Sequence, residues 1–225
     1  MSTEKIIEYY NQLASEYDEN RFGNSYGQFI DFQERRILNK IFKKQSGKIL
    51  DLACGSGRLT NFATSGADAS KEMLKIAQKK HSEKEFFQAK SNDLPFEKES
   101  FQGCLTFHFI MHLDEVVFTK TIDEIHRILS KNGTFVFDIP VKSRRKILNQ
   151  NQENWHAALS FNQDEIEKFI KNKFEIRKKF GLLIIPIHRI PKRFRKYFLT
   201  FDFLLSNFGL LKNLSSYHIY ELRKI

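Results

Sequence analysis

The sequence predicts an α/β protein built on a doubly wound parallel sheet. Two observations carry this. The first is ILDLACGSGRLT at residues 49–60, an apolar strand that passes an acid, enters a loop of small residues and runs on into a helical pattern. Strand, Gly-rich turn and helix in that order are how α/β proteins hold a nucleotide-like cofactor. The second is the alternation of short apolar runs with amphipathic stretches up to Pro140. A parallel sheet with crossover helices has that pattern.

The elements follow in chain order. Residues 4–18 and 26–44 read as two amphipathic helices, with Ile6, Ile7, Tyr10, Leu13, Ala14 and Tyr17 at helical spacing and a polar break at 19–25 between them. Residues 48–52 form strand one, a short helix is expected over 57–63, and 66–68 end a very short second strand. Ser70 caps a helix through Lys80. Residues 85–88 and 101–107 are strands, and 116–129 are a helix ended by Lys131-Asn132-Gly133, where Gly offers the left-handed stop. Residues 134–139 form a strand closed by Pro140. Beyond it, Asn162 caps a helix to Lys171, and 174–180 and 217–222 alternate like strands. The basic, aromatic stretch PKRFRKYFLTFDFLLSNFGLLK lies between those last two strands.

A chain of 225 residues, 41% hydrophobic and 28% charged, can bury a full core as one globular domain. Its two cysteines, Cys54 and Cys104, make neither a disulfide framework nor a zinc site, and no metal is expected. They suit a reducing cytoplasm. The polar, acidic N-terminus has no apolar signal-peptide core, and no stretch approaches the roughly 20 apolar residues of a membrane span. The expected location is cytoplasmic, with peripheral membrane contact as an option. The net charge is +10, and its distribution is uneven. Residues 141–225 hold 18 Lys+Arg against 7 Asp+Glu, whereas residues 1–140 hold 19 against 20. The basic third points to an anionic partner or surface, or to a solvated basic face.

Four motifs in order carry a resemblance. Asp51-Leu-Ala-Cys-Gly55-Ser-Gly57 resembles D-x-G-x-G-x-G, the first motif of class I S-adenosylmethionine (SAM) dependent methyltransferases. Gly66-Ala-Asp68-Ala-Ser70-Lys-Glu-Met73-Leu74 resembles their second motif. Asp93-Leu94-Pro95-Phe96, with Phe101 and the strand to His112, resembles the stretch around strand four. Glu124-Ile-His-Arg127-Ile-Leu-Ser-Lys-Asn-Gly133 is similar to the run before strand five, with Asn132 in place of Pro. Residues 10–18 are like the helical N-terminus of the ubiquinone/menaquinone-type subgroup. The resemblance covers roughly residues 9–140. It implies a Rossmann-like sheet of seven strands, six parallel and one antiparallel near the C-terminus, with helices on both faces. It also implies one domain in three parts: a helical lid (1–45), a SAM-binding core (46–140) and an acceptor-side region (141–225).

The residue chemistry agrees with SAM better than with a dinucleotide. Gly55 and Gly57 lack a Cβ, so the backbone can approach a ligand closely and take positive φ. SAM has no phosphate to seat on a helix N-terminus. Its ammonium and sulfonium match an acid at a strand end, where Asp51 sits. Asp68 is placed to take both ribose hydroxyls, since a carboxylate accepts two hydrogen bonds at once. Ala53 keeps the first loop position small. The other readings are a loop cap for Asp51 and a turn acid for Asp68. The resemblance implies further contacts from Cys54, Arg58, Ala69, Met73, Ser91, Asn92, Asp93 and Phe107, and from Tyr17 and Arg21 of the lid. Lys90 stands where the family often carries an acid for the adenine amino group.

Methyl transfer is an in-line displacement at an activated carbon, so alignment and exclusion of water do most of the work. A base is needed only when the nucleophile must lose a proton. His112, His108 and Asp114, after strand four, are the candidates; packing or capping is the alternative for each. Tyr10, Tyr17 and Arg21 close a lid or staple the N-terminal helix, and Trp155 and His156 are candidates for the acceptor pocket. No Asp/Asn-Pro-Pro-Tyr, no Pro-Cys and no acidic cluster follows strand four, which disfavours acceptors that need those motifs. The expected acceptor is a small molecule or a lipid or quinone-like compound, and the product S-adenosylhomocysteine (SAH). A catalytically silent SAM-binding protein that acts through a partner is the alternative; a nicotinamide oxidoreductase is remote. Residues 192–211 read as a basic, Phe-rich amphipathic helix that docks on anionic membrane or covers the core. Nucleic acid is not favoured, as no binding motif for it is present.

Overall fold

The computed structural model describes residues 3–147 and 159–225. Strands whose apolar residues point to both faces place the sheet at the centre. In β1 (Ile49–Leu52), Ile49 enters one apolar cluster while Leu50 and Leu52 enter the other. In β4 (Phe101–Thr106), Cys104 and Leu105 divide the same way. In β5 (Leu129–Pro140), Phe135, Phe137 and Ile139 face one cluster and Val136 the other. Strands buried on both faces are expected where helices cover both sides.

The remaining strands are β2 (Ser65–Asp68), β3 (Glu85–Gln88), β6 (Phe174–Leu182) and β7 (Tyr217–Lys224). The seven pair in the order β3-β2-β1-β4-β5-β7-β6. β7 runs antiparallel to both β5 and β6, while the pairs among β1 to β5 are parallel. The order reverses at β1, which has β2 on one side and β4 on the other. Ligands of doubly wound sheets bind at the carboxyl ends of strands at such a switch point.

The helices are α1 (Thr3–Leu13), α2 (Ser25–Phe42), α3 (Lys71–Lys80), α4 (Glu115–Ile128), α5 (Lys142–Ile147), α6 (Gln163–Ile170) and α7 (Leu199–Asn207). α4 and α6 cover one face through Phe118, Ile122, Ile125, Ile166 and Ile170. α2 and α7 cover the other through Phe29, Ile37, Leu38, Phe42 and Phe203. Each fully buried side chain such as Phe118 or Ile122 contributes roughly 2 kcal/mol. Local capping matches the sequence: Ser70 Oγ accepts from Met73 N at 3.2 Å, and Asn162 with Glu165 forms a capping box on α6.

Four local expectations need correction. Residues 57–63 hold only a 3-10 turn, Thr60–Phe62, because Gly57 takes φ +80 and the Thr60 hydroxyl is held by Asp51. Helix α4 stops at Ile128, where Leu129 is already extended, and the left-handed residue of the following turn is Asn132 (φ +63), not Gly133. Asn tolerates that region better than other side chains. The polar break is a π-helical turn, Glu19–Gly23, after which Asn24 Oδ1 caps α2 by accepting from Tyr26 N and Gly27 N at 3.0 Å each. The 192–211 stretch is not one helix: a 3-10 run, Lys192–Phe198, precedes α7, and another, Gly209–Leu214, follows it.

Candidate active site

The site is built from the loop after β1. Ala53 turns the chain with φ +55, and Cys54 N donates to Ala67 O at 3.1 Å. Ala53 therefore occupies a left-handed position that favours Gly; small size is only part of what it must supply. Gly55 follows at φ +53, and a Cβ built there meets nothing within 4 Å. Gly57, at φ +80, is different: a Cβ there would lie 3.2 Å from Ala77 Cα. Gly55 thus leaves an open cradle, whereas Gly57 permits close packing of the loop on α3.

Asp68, the last residue of β2, accepts from Gly55 N and Ser70 N, each at 2.8 Å, one on each carboxylate oxygen. Burial pushes its carboxyl up, and the backbone donors of Ser70 and Gly55 only partly oppose this. A carboxylate has about four lone-pair positions, so both oxygens retain accepting capacity toward the cavity they line. That cavity, of about 480 Å³, lies at the carboxyl ends of β1, β2 and β4. Its volume is in the range of small-ligand sites.

The cavity brings together Ala53, Gly55, Asp68, Ala69, Met73, Ser91, Asn92, Phe107, Tyr17, His108, His112 and Asp114. Asp51, Cys54, Gly57, Arg58, Asp93 and Arg21 are not on its wall. Asp51 is almost wholly buried and accepts from Thr60 Oγ1 at 2.7 Å; with Cys54 and Arg58 it lines an adjoining cavity of about 50 Å³ that shares Tyr17, Ala53, Gly55, Phe107 and His108 with the larger one. Burial pushes the Asp51 carboxyl up to about 7. Arg58 pairs with Asp31 at 2.6 Å and Glu34 at 2.8 Å and stacks on Phe22. The Ser91 hydroxyl turns to Thr121, at 2.8 Å, and Lys90 pairs with Glu4 of α1 at 3.2 Å. Trp155 and His156 lie outside the described residues.

The N-terminal segment covers the cavity. Asn11 Oδ1 accepts from Ser70 Oγ at 2.7 Å, Asp18 Oδ1 accepts from Ser56 Oγ at 2.5 Å, and Asp18 also pairs with Lys80. Tyr10 Oη lies 3.3 Å from His112 Nε2. Asp114 caps α4 by accepting from Val117 N at 2.8 Å.

His108 stands apart from the other candidates. Its backbone takes φ +55, uncommon for a non-glycine residue and of a kind that clusters at functional sites. Its amide donates to Asp138 Oδ1 at 2.7 Å, and its ring lies between Glu34 Oε1 (2.7 Å) and Asp138 Oδ2 (3.6 Å). Burial alone would lower its pKa, but Glu34 and Asp138 outweigh burial and raise it. Glu34 and Asp138 were not legible as site residues: Glu34 sits mid-helix, and only the position of Asp138 at the end of a strand was a signal. Among the described residues these three form one group with ligand-type atoms within 4.8 Å of one another. Arg58 joins the group through its ion pair with Glu34 at 2.8 Å.

A family model for a methyltransferase domain matches residues 50–137, the stretch that holds β1, β2 and β4 and the loops that follow them. Over that stretch the chain is similar to methyltransferase domains. Similar proteins include an uncharacterized protein of Methanocaldococcus jannaschii, 34% identical over 60% of this chain and 51% of its own length. The ubiquinone/menaquinone biosynthesis C-methyltransferase UbiE of Campylobacter jejuni is 30% identical over 59% of this chain and 62% of its own. The chain therefore matches between half and two thirds of the length of these relatives. Among solved structures, a SAM-dependent methyltransferase of Thermotoga maritima superposes with a TM-score of 0.72 at 18% identity, covering 96% of this chain and 98% of that one. One from Clostridium acetobutylicum gives 0.65 at 15%, covering 95% and 98%. Both share the seven-stranded fold. Both are named as SAM-dependent methyltransferases.

Proposed function

We propose that the protein transfers a methyl group from SAM to a small-molecule, lipid or quinone-like acceptor. The observation that carries this reading is Asp68: a buried carboxylate at the switch point, bonded to two backbone amides and still open to the cavity. A ribose diol supplies the two donors such a group lacks. The open space at Gly55 supports the same fit, since no side chain fills the approach to the loop.

Bound SAM supplies the activated methyl carbon. Asp68 orients the ribose, Asn92 and the Ser91 backbone flank the adenine side, and Tyr10 and Tyr17 exclude water from above. His112, beside Tyr10, is the candidate base, and Asp114 fixes the start of α4 beside it. His108, whose pKa Glu34 and Asp138 raise above the ordinary histidine value, borders the cavity beside it and is the second candidate. Ile6, Ile7, Leu113, Val117 and Leu159 give the acceptor side an apolar wall. That wall, with the relative named for quinone biosynthesis, favours an apolar acceptor. Residues 192–211 are proposed to touch an anionic membrane peripherally.

Calorimetric titration with SAH, beside NADH as control, tests the reading. The expected result is SAH binding that Asp68→Ala abolishes, with NADH inert. No binding of SAH, or tighter binding of NADH, would overturn it.

A further inference from the structure

Helix α7 turns two polar side chains inward beside Phe203 and leaves apolar ones outside. It buries Asp202 and Ser206, both at 0% exposure, and exposes Phe201 (54%) and Leu204 (59%). Asp202 accepts from Gln33 Nε2 at 2.7 Å, Ile184 N at 3.0 Å and Ile185 N at 2.7 Å. These donors hold the polar side of the helix inward. Among the described residues eleven large apolar side chains are exposed, and eight of them lie between Phe194 and Leu214. Phe208 (72%) and Leu210 (85%) extend the face beyond the helix. Scattered exposed apolar residues are ordinary, but a contiguous group marks an interaction surface.

The charge around this face has one sign. Residues 187–214 carry six Lys/Arg and one acid, Asp202, which is buried. A second basic element joins them from elsewhere in the chain. Arg36 and Lys40 of α2 both lie over the Phe203 ring of α7, at 4.2 and 4.7 Å. They continue past the end of α2 into Lys43 and Lys44, which line an open groove of about 1290 Å³ with Arg35 and half-exposed Phe32, a groove that Asp18, Glu19 and Asp31 also line. Arg195 ties the two elements by donating to Ser25 Oγ, at the start of α2, at 3.0 Å.

We propose that α7 and its flanking turns form the apolar wedge, and α2 the basic rim, of one docking surface for an anionic lipid bilayer. This extends the peripheral contact of residues 192–211 and rests on it. Exposed aromatics and leucines enter the headgroup boundary while lysines and arginines meet anionic headgroups. A soluble acidic partner would match the rim but leave the apolar wedge without a partner. No helix of the described residues is long and apolar enough to cross a membrane, so the contact is peripheral. The placement suits an apolar acceptor. β6 ends at Leu182, paired with Tyr217, which also pairs with Pro140 at the same edge of the sheet. The Tyr217 ring lies 6.2 Å from that of His108 in the cavity. The chain that leads to the wedge therefore leaves β6 at the carboxyl edge of the sheet, the edge at which the cavity lies.

Flotation of the full chain with vesicles tests this. Phosphatidylcholine vesicles containing phosphatidylglycerol are expected to carry the protein, and phosphatidylcholine alone is not; salt weakens the binding. Phe201→Ser with Leu204→Ser, and separately Lys40→Glu with Lys44→Glu, each lower the partition about tenfold or more. SAH affinity stays unchanged in both. Equal binding to both vesicle types, no binding, or loss from the α7 pair alone would overturn the two-part surface. A dimer in light scattering that Leu204→Ser breaks, without vesicle binding, would assign the face to a second copy. RNA retention that only the α2 reversals abolish, again without vesicle binding, would assign the groove to nucleic acid. SAH binding without vesicle binding defeats docking alone; vesicle binding without SAH binding defeats the methyltransferase reading alone.

Discussion

Glu34 Oε1 and His108 Nε2 meet at 2.7 Å beneath the cavity. The contact joins a fully buried carboxylate of α2 to the left-handed residue just after β4. Burial alone would raise the Glu34 pKa, but the charges of Arg58 and His108 outweigh it and hold the carboxyl at about 2. His108 is raised above 6.5 by the same pairing and by Asp138. The two groups act on stability at opposite ends of the pH scale. The Glu34 contribution is present above its ordinary value of 4.5 and is lost as pH falls toward about 2. The His108 contribution is complete below 6.5 and is lost as pH rises through its folded value.

Thermal unfolding followed across pH checks this. Glu34→Gln costs about 3 to 5 kcal/mol at neutral pH, because it leaves Arg58 and His108 buried without their shared anion. On the acid side its melting temperature declines less steeply than that of the wild type. Parallel acid limbs for the two proteins would remove Glu34 from the account.

Asp51 works in the other direction. Its folded pKa is pushed up from 3.8 to about 7 by burial, so the folded state is penalised as pH rises from 3.8 to about 7. Asp51→Asn keeps an oxygen for the Thr60 hydroxyl and removes the buried charge. The variant is expected to be more stable than the wild type at pH 8, by no more than about 4 kcal/mol, and so to melt higher there, with little difference at pH 4. An Asn variant less stable at pH 8 would show that Asp51 has a counter-charge beyond those near it. A stability cost retained at this position is what a functional acid would carry.

Contacts of the N-terminal segment border the same cavity. Asp18 holds both Ser56 of the loop and Lys80 of α3. Asp18→Ala releases both, so SAH affinity should fall several-fold and amides of residues 3–24 should exchange faster. Unchanged exchange in that segment would mean that Asn11 and Tyr10 suffice to hold it.

What could be read in advance was local. Ser70 and Met73, Asn162 and Glu165, and Gly55 with Asp68 lie near one another in sequence or fall in order along β1, β2 and their loops. Their types and spacing therefore carry the geometry. The His108 cluster was not legible, because Glu34, Arg58 and Asp138 come from three other elements that only tertiary packing brings together. The 192–211 stretch failed for a related reason. The sequence leaves membrane docking and core covering both open and reads one helix, whereas 3-10 runs flank α7 and the three donors gathered on Asp202 set which side of it turns in. The stop of α4 failed more narrowly, since Asn132 competes with Gly133 for the left-handed position and takes it.

The two loop glycines separate binding from stability. At Gly55 a Cβ meets nothing, so Gly55→Ala costs only the left-handed strain of about 1 kcal/mol while placing a methyl group in the cradle. At Gly57 the same change adds contacts at 3.0 Å to His81 Cδ2 and 3.2 Å to Ala77 Cα. Gly55→Ala should lose SAH affinity with a modest change in melting temperature. Gly57→Ala should lose melting temperature first. The reverse pattern, measured by calorimetry and thermal unfolding, would place the ligand against α3 instead of the β1 loop.

Asp202 gives the sharpest stability test of which side of α7 turns in. Its carboxylate satisfies a buried amide of Gln33 and two backbone amides after β6, and Ser206 Oγ donates to it at 3.3 Å. Asp202→Ala leaves those donors without an acceptor in a site closed to water. Each unsatisfied buried donor costs about 1 to 3 kcal/mol, so the total loss should exceed about 3 kcal/mol. Asp202→Asn retains Oδ1 for the two backbone amides but sets an NH2 group against the Gln33 amide, and should fall between. Hydrogen exchange at Ile184 and Ile185 should quicken in the Ala variant and stay slow in the Asn variant. If Ala and Asn behave alike, the backbone bonds to Oδ1 are not what pins α7, and the packing of Phe203 under Arg36 and Lys40 must hold it instead.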